Sequence, residues 1–423
     1  MKSSRILALL ALALLAAPAA AQAPADTASP QAAADAVLRQ CRGVLGPNAR
    51  CVERVLDGVL ERSGVARAMA VLDAAVARSP RLTPQAHGIA HGLGIAAYRS
   101  PETVAATFAS CPNTQIAGCY HGVIQGYFLD VARRTGEVSA ADLNALCEPH
   151  RASAPLYFEC THGMGHGLMA AYGHRLPDAL ARCDLIADPM ARDSCWGGAF
   201  MENIVGAVHP GHTAEAHAAV SGAAGHAGTD HGEMDHGGMD HGAMGHAPPA
   251  KPWRPINYAD VLYPCTVVDA KYHRSCYTIQ TAAILAMNGG RLGHAARACN
   301  RAPREMVPVC HASLGRDVSA YARRDPRRAA RLCARLRSAE TDCLRGAAWA
   351  LYDAASRPAD ALALCRAVAR DEQKTACYQA VARRVRIGTP EPSLLAAVCA
   401  DAEPAYVAAC RAAAELPPAG EGE

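Results

Sequence analysis

The spacing of eighteen cysteines constrains the fold of this 423-residue chain more than any other feature. In chain order the cysteines form near pairs whose members are 8 to 13 residues apart. The second members of the last five pairs follow one another at intervals of 33 or 34 residues, a period that indicates a repeated helical hairpin. The pairs are Cys41 and Cys51, Cys111 and Cys119, Cys147 and Cys160, Cys183 and Cys195, Cys265 and Cys276, Cys299 and Cys310, Cys333 and Cys343, Cys365 and Cys377, and Cys399 and Cys410.

Each near pair is predicted to form a disulfide between the two helices of one hairpin. No two cysteines lie closer than Cys111 and Cys119, so the chain has no CxxC motif of the thioredoxin, c-type haem or zinc-ribbon kind. A disulfide that closes so short a loop stabilises the fold by roughly 3 kcal/mol. One repeat lacks its pair. Cys51 and Cys119 are 68 residues apart, which is two periods, and Gln85 occupies the midway position where a cysteine is expected.

The composition favours short, closely packed helices. Half of the chain is hydrophobic (51%), but only 5% is aromatic, and alanine is abundant. We therefore predict an all-α fold, a right-handed α-solenoid of about ten hairpins of roughly 33–36 residues each. The net charge of +3 is too small to attract nucleic acid through the overall electrostatic field of the protein. The arginine-rich stretch at 315–345 contains interspersed acids and no stacking aromatics, which is typical of a solvated face or a docking surface for another exported protein.

The cysteine period and the hairpin pattern resemble those of the Sel1-like and tetratricopeptide-like α/α repeat proteins, closest to the secreted cysteine-rich variety. The resemblance covers most of residues 35–415 and concerns architecture only. It implies a disulfide-stapled helical scaffold. It implies no particular function, because repeat scaffolds carry many different ones.

The N-terminus has the pattern of a secretory signal. MKSSR is basic, ILALLALALLAAP is apolar but too short to span a bilayer, and small residues offer a cleavage site after Ala21. No later apolar run is long enough for a membrane span, so we predict a periplasmic or secreted protein. The predicted segments are a signal peptide (1–21), a flexible N-terminus (22–34), N-terminal repeats (35–206), an inserted segment (207–254), C-terminal repeats (255–415) and a disordered tail (416–423).

Three successive repeats share the motif HGxx[HQ]G on their second helix. Aligning the repeats on their cysteines places HGIAHG, HGVIQG and HGMGHG in register, each with two polar residues four apart on one helical face. Beside each pair runs a Gly-xxx-Gly stripe, which lets neighbouring helices approach closely. The aligned pairs are His87 and His91, His121 and Gln125, and His162 and His166.

These aligned pairs predict a metal site shared by three helices. Imidazole suits zinc, copper, iron and nickel, and two histidines four apart on a helix can ligate one ion. Glu202, one position beyond the second ligand position of the fourth helix, is a candidate carboxylate ligand or base. The alternative is a set of structural histidines duplicated from one ancestral hairpin. His150, His174, His273, His294 and His311 are isolated and are interpreted as structural.

The inserted segment carries a second set of candidate ligands. It is rich in glycine and poor in apolar bulk, so we expect it to be disordered without a ligand. Histidine with methionine favours copper, because the pair serves both oxidation states. The MDHGGMDHG run resembles the methionine- and histidine-rich segments of bacterial periplasmic copper-resistance and copper-carrier proteins; an expanded linker is the alternative. The candidate ligands are His226, His231, His236, His241, His246, Met234, Met239 and Met244.

Three functions are compatible with these features. The first is an exported protein that binds a transition metal, most simply copper, for buffering, carriage or tolerance, with zinc, nickel and iron as other ions. The second is a metalloenzyme, such as a copper or iron oxidase or oxygenase, that uses the same helical histidines. The third is a disulfide-stapled scaffold for protein partners. No nucleotide-binding loop, nucleophile elbow or catalytic triad is evident in the sequence.

Overall fold

The computed structural model describes residues 28–44, 46–208, 253–354 and 357–418, and these residues form an all-α structure. Two short strands, β1 (Arg42–Gly43) and β2 (Gly46–Pro47), pair antiparallel in a turn after the first helix. The helices are α1 (Pro30–Gln40), α2 (Ala49–Ser63), α3 (Val65–Arg78), α4 (Thr83–Ala97), α5 (Val104–Ala109), α6 (Gly118–Thr135), α7 (Ala140–Leu146), α8 (Ala154–Ala171), α9 (Leu176–Cys183), α10 (Pro189–Val208), α11 (His273–Asn288), α12 (Leu292–Cys299), α13 (Val307–Tyr321), α14 (Pro326–Ala334), α15 (Glu340–Asp353), α16 (Pro358–Arg366), α17 (Asp371–Gly388), α18 (Pro392–Ala400) and α19 (Val407–Ala413).

Local sequence signals set the ends of these helices. Asn48 caps α2 by accepting a hydrogen bond from the Cys51 amide, and Asp325 caps α14 in the same way. Ser139 and Asp142 form a capping box at the start of α7. Gly136 ends α6 with a positive φ of 81°, a conformation that glycine adopts without steric cost.

The second helices of successive hairpins form one continuous row. In this row α4 packs on α6, α6 on α8, α8 on α10, and the row then continues through α11, α13, α15, α17 and α19. The packing of α10 against α11 joins the repeats on either side of residues 209–252. Buried side chains form two clusters, one mainly from Ala33 to Leu314 and one from Val318 to Ala414. The predicted all-α arrangement of helical hairpins is confirmed.

Nine disulfides join the cysteines in the pairs that their spacing predicted, and no cysteine is free. Most connect the end of a first helix to the following second helix, with Cα–Cα distances from 5.4 to 5.8 Å. Cys265 differs in that it lies among turns before α11. The hairpin of α3 and α4 has no disulfide, as the presence of Gln85 predicted. Nine disulfides are typical of an oxidising, exported location.

Several predicted segments lie partly or wholly outside the described residues. These are the signal peptide (1–21), the first part of the N-terminal segment (22–27 of 22–34), most of the insertion (207–254) and the end of the tail. Among the helices of the described ranges, none has the length and apolarity needed to cross a membrane.

Glycines allow neighbouring second helices to touch through their backbones. A Cβ at Gly122 of α6 would lie 2.1 Å from the carbonyl oxygen of His91, and a Cβ at Gly198 of α10 would lie 2.0 Å from that of His162. Gly165 makes the matching approach, since its Cβ would lie 2.2 Å from the Cys195 carbonyl. No side chain larger than hydrogen fits at these contacts. The predicted stripe residues Gly163 and Gly167 instead pack against side chains of α6.

The close contact between α8 and α10 can be tested with Gly165→Ala. The added Cβ would lie 2.2 Å from Cys195 O and 2.3 Å from Ala199 N, both backbone atoms that move only if the helices separate. We expect the free energy of unfolding to fall by about 1–3 kcal/mol. The measurement is urea unfolding followed by circular dichroism with the disulfides intact.

The matched control is Gly206→Ala in α10, because a Cβ there meets no atom within 4 Å. Removing a helical glycine at an open position leaves stability unchanged or raises it by up to about 1 kcal/mol. Equal losses from the two variants would contradict the packing role of Gly165.

Candidate metal centre

The structure brings the five motif histidines into one cluster. His87 and His91 lie on α4, His121 on α6, and His162 and His166 on α8. The two histidines of a pair share one face of their helix because they are four residues apart. Since α4, α6 and α8 are neighbours in the row of second helices, the three faces meet.

His121 occupies the centre of this histidine cluster. Its ring centroid lies 5.9 Å from that of His87, 5.7 Å from His91 and 5.1 Å from His162. The ring of His166 stacks on it at 4.7 Å, with an interplanar angle of 12°. A direct contact of 5.3 Å between the rings of His91 and His166 also joins the two outer helices. Thus every histidine of the cluster is within contact distance of at least two others.

Two overlapping groups of three histidines have the proximity that a metal ion requires. His87, His91 and His121 each offer one ligand atom within 4.8 Å of the other two, and so do His121, His162 and His166. Both groups include His121. Around a zinc ion the nitrogen ligands lie about 2.0–2.1 Å from the metal, so small side-chain rotations bring either group into range.

The cluster has a partly exposed layer and a deep layer. His87 is half-buried, while His121 and His162 are 2% and 8% exposed. One helical turn further along the same helices, His91, Gln125 and His166 are fully buried. The second residue of each motif is therefore the deep one.

Two carboxylates hydrogen-bond to the cluster. The side chain of Glu159 lies 3.2 Å from His121 Nε2, and that of Glu202 lies 2.8 Å from His166 Nδ1. A neutral histidine that donates to a carboxylate from one ring nitrogen carries its lone pair on the other. These contacts therefore leave Nδ1 of His121 and Nε2 of His166 as the nitrogens that can bind a metal.

A backbone carbonyl orients His87 in the same way. Gln115 O lies 2.8 Å from His87 Nδ1, and the Gln115 side chain donates to Asp73 Oδ1 at 2.7 Å. Gln115, Ile116 and Ala117 all have positive φ, between 49° and 58°, in the turn before α6. His87 Nε2 is thereby the nitrogen that faces away from this turn.

Two buried polar groups of α6 have no hydrogen-bond partner within the described parts of the chain. They are Nδ1 of His121 and both the Oε1 and Nε2 atoms of Gln125. A buried polar atom without a partner costs about 1–3 kcal/mol, and native structures contain few of them. Three such atoms on adjacent turns of one helix are the pattern that a bound ion and its ligands would explain.

Burial keeps two of the histidines neutral. Desolvation lowers the pKa of His121 to about 3. Desolvation, together with the neighbouring imidazole of His121, lowers the pKa of His162 to about 3. Burial also raises the pKa of the Glu159 carboxyl. A neutral imidazole is the form that binds metals.

The sequence pattern predicts Glu202 as part of the site but gives no role there to Glu159 or His174. Glu202 contacts His166. His174 was predicted to be isolated, but its Nδ1, on the turn after α8, lies 3.9 Å from Glu202 Oε1. Glu159 precedes His162 by three residues, which places the two on one helical face, and this spacing was the available signal.

The other histidines of the described ranges lie elsewhere. His150 packs against Phe108 with ring centroids 4.6 Å apart, and His311 Nε2 lies 3.3 Å from the Ala296 carbonyl. The histidines and methionines predicted as ligands in the insertion, from His226 to His246, lie outside the described residues.

Comparisons with known proteins found no match, whether with protein-family models, with curated proteins or with solved structures. The geometry and chemistry of the histidine cluster are therefore the basis on which a function can be proposed.

The metal-free protein should lose stability as the pH falls from 6.5 to 3. In the unfolded chain His121 and His162 take up protons near their ordinary value of 6.5, whereas in the folded protein they stay neutral until about pH 3. Their contribution to stability is thus fully present above pH 6.5 and is lost as the pH falls toward 3. Urea unfolding of the metal-free protein at a series of pH values should show a smaller loss for His162→Gln than for the wild type.

His294→Gln, at an exposed histidine of α12, is the control and should leave the slope unchanged. Glu159 acts in the opposite direction because burial raises its pKa, so the comparison between variants isolates the histidine. Identical slopes for His162→Gln and wild type would contradict the neutral buried histidine.

Proposed function

We propose that this chain is an exported, periplasmic transition-metal-binding α-repeat protein that serves in copper buffering, carriage or tolerance. The observation that carries this proposal is the pair of overlapping three-histidine groups, each with its ligand atoms within 4.8 Å of one another. The nine disulfides support an exported location, and the predicted signal peptide agrees with it.

The donor set fits a borderline transition metal rather than calcium or magnesium. Both groups consist of imidazole nitrogens, whereas the hard cations prefer oxygen ligands. Glu159 and Glu202 act on the histidines, and each adds a negative charge that would balance a bound cation. The buried Gln125 and His121 atoms without partners lie on the central helix of the same cluster.

Copper is the ion that the inserted segment favours. Its alternating histidines and methionines offer ligands for both copper oxidation states, and they belong to the chain directly after α10. The chain returns at Trp253, whose indole donates to Asn203 Oδ1 at 2.8 Å, and Asn203 adjoins Glu202. Trp253, where the described chain resumes after the insertion, is therefore bonded to the residue that follows the carboxylate in contact with His166. In this proposal the insertion captures ions and the helical cluster holds them.

A metal-dependent oxidoreductase is the second candidate, favoured by the number of ligands. Each group supplies three histidines, and catalytic metal sites keep three protein ligands and an open position, whereas structural sites are closed. The oxidoreductase would be favoured if the metal-loaded protein consumed dioxygen or a reducing substrate and the metal-free protein did not.

The central test is metal stoichiometry. Protein purified from an oxidising compartment is loaded with Cu²⁺, desalted and analysed for bound copper, both as the full chain and with residues 209–252 deleted. We expect the deletion variant to retain copper in the cluster and the combined variant His121→Ala/His166→Ala in that background to lose it. Equal copper in these two proteins, or no copper above background in either, would overturn the proposal.

Thermal or urea unfolding provides an independent measurement on the same proteins. A ligand at 100 times its Kd stabilises the folded state by about 2.7 kcal/mol, so copper should raise the unfolding free energy of the deletion variant by an amount of this order. The increase should disappear in His121→Ala/His166→Ala and persist in His294→Ala, whose histidine is exposed on α12.

A further inference from the structure

We propose that His174 is an access ligand through which metal ions pass between the protein surface and the buried histidine cluster, by way of Glu202. This inference rests on the proposed function. It adds a residue outside the HGxx[HQ]G motif and a route for the ion.

Glu202 connects a buried histidine with one that reaches the surface. Its carboxylate is fully buried; Oε2 lies 2.8 Å from His166 Nδ1, and Oε1 lies 3.9 Å from His174 Nδ1. The side chain of His174 is 27% exposed, whereas that of His166 is fully buried. A line of nitrogen- and oxygen-bearing side chains thus leads from the cluster toward the surface at the end of α8.

The separation between Glu202 and His174 suits an ion. At 3.9 Å the two atoms are too far apart for a hydrogen bond. Metal–nitrogen and metal–carboxylate bonds of about 2.0–2.2 Å each together span about 4 Å, so an ion fits between the two side chains without movement of the backbone. The ion can then pass from Glu202 to His166 once the 2.8 Å hydrogen bond between Glu202 Oε2 and His166 Nδ1 breaks and the imidazole turns its Nε2 toward the ion.

The turn that carries His174 does not need a histidine. Its amide donates to Met169 O at 2.7 Å, and the corresponding amides of Gly290 and Arg324 donate to Leu285 O and Ser319 O. All three residues lie fourteen positions after the second cysteine of their hairpin and have positive φ, of 56°, 78° and 58°. The same backbone turn therefore forms with glycine or arginine. The imidazole occurs in the repeat whose neighbouring helix carries Glu202.

The first described residues after the insertion bond to α10 beside Glu202. Asn203, next to Glu202, bonds to both Trp253 and Pro255, and α10 ends at Val208. His174 is the partly exposed histidine that contacts this carboxylate, so it is placed to receive an ion on that side.

The test compares the rates of copper loading and removal in full-length protein. Cu²⁺ is added in a stopped-flow mixer, and bound copper is later removed with excess EDTA. The visible absorption of bound copper reports both steps, and subtraction of the His121→Ala/His166→Ala signal isolates the cluster. We expect His174→Gly to slow both steps by about tenfold, because losing a relay site raises the barrier equally in both directions. The equilibrium affinity and the stoichiometry should stay within about twofold of wild type.

Glycine suits this turn, as Gly290 shows, and His174→Asn is a second variant because asparagine tolerates the left-handed conformation. His294→Ala is the control and should load and release copper at the wild-type rate. Wild-type rates in both His174 variants would overturn the access role while leaving the proposed function intact. A large loss of affinity would also overturn it, because His174 would then be a permanent ligand. Absence of any cluster-specific copper signal in the wild type would overturn the proposed function and the access role together.

Discussion

Backbone contact between neighbouring second helices at glycine is the constraint on which the rest of this structure depends. Gly122 lies against the carbonyl of His91, and Gly198 lies against the carbonyl of His162. The glycines thus touch the very turns of helix that carry the histidines. Close approach at Gly122 favours the ring separations of 5.7–5.9 Å between α4 and α6, because helices packed through larger side chains lie about 8–10 Å apart from axis to axis. The glycine cost to helix propensity, about 1 kcal/mol per residue, is offset by the contact it permits.

The disulfides stabilise a fold that buries many polar side chains and has few aromatic side chains in its core. Each cross-link of this kind contributes roughly 2–4 kcal/mol, and most of the nine hold a first helix against a second helix. A cluster that buries four of its five histidines, together with Gln125 and Glu202, adds desolvation cost within the N-terminal repeats. The covalent links supply stability at the hairpin ends, away from the histidine rings. The hairpin of α3 and α4 has no disulfide, and its two helices pack directly against each other.

The burial of the cluster residues changes along the direction of the helices. His87 and His162 lie toward one surface, His91, Gln125 and His166 lie one turn deeper, and Glu202 leads on to His174 at the opposite end of α8. Carboxylates contact the cluster at both levels, Glu159 at His121 and Glu202 at His166. An ion held among these residues would be shielded from water yet linked to the surface by ligands. This arrangement is more specific than a set of histidines distributed along a helical face.

The cysteine period by itself determined the hairpin repeat and the nine disulfides, since partners 8 to 13 residues apart have few other cysteines within reach. Alignment on those cysteines also placed His87, His121 and His162 in register, together with the residues four positions later. The contacts of Glu159 with His121, of Glu202 with His166, and of His174 with Glu202 were decided only by the tertiary structure. The first two join residues 38 and 36 positions apart on different helices. Whether such side chains meet depends on the rotation and axial shift of each helix against its neighbour. A repeat period leaves both quantities open, and the glycine contacts set them.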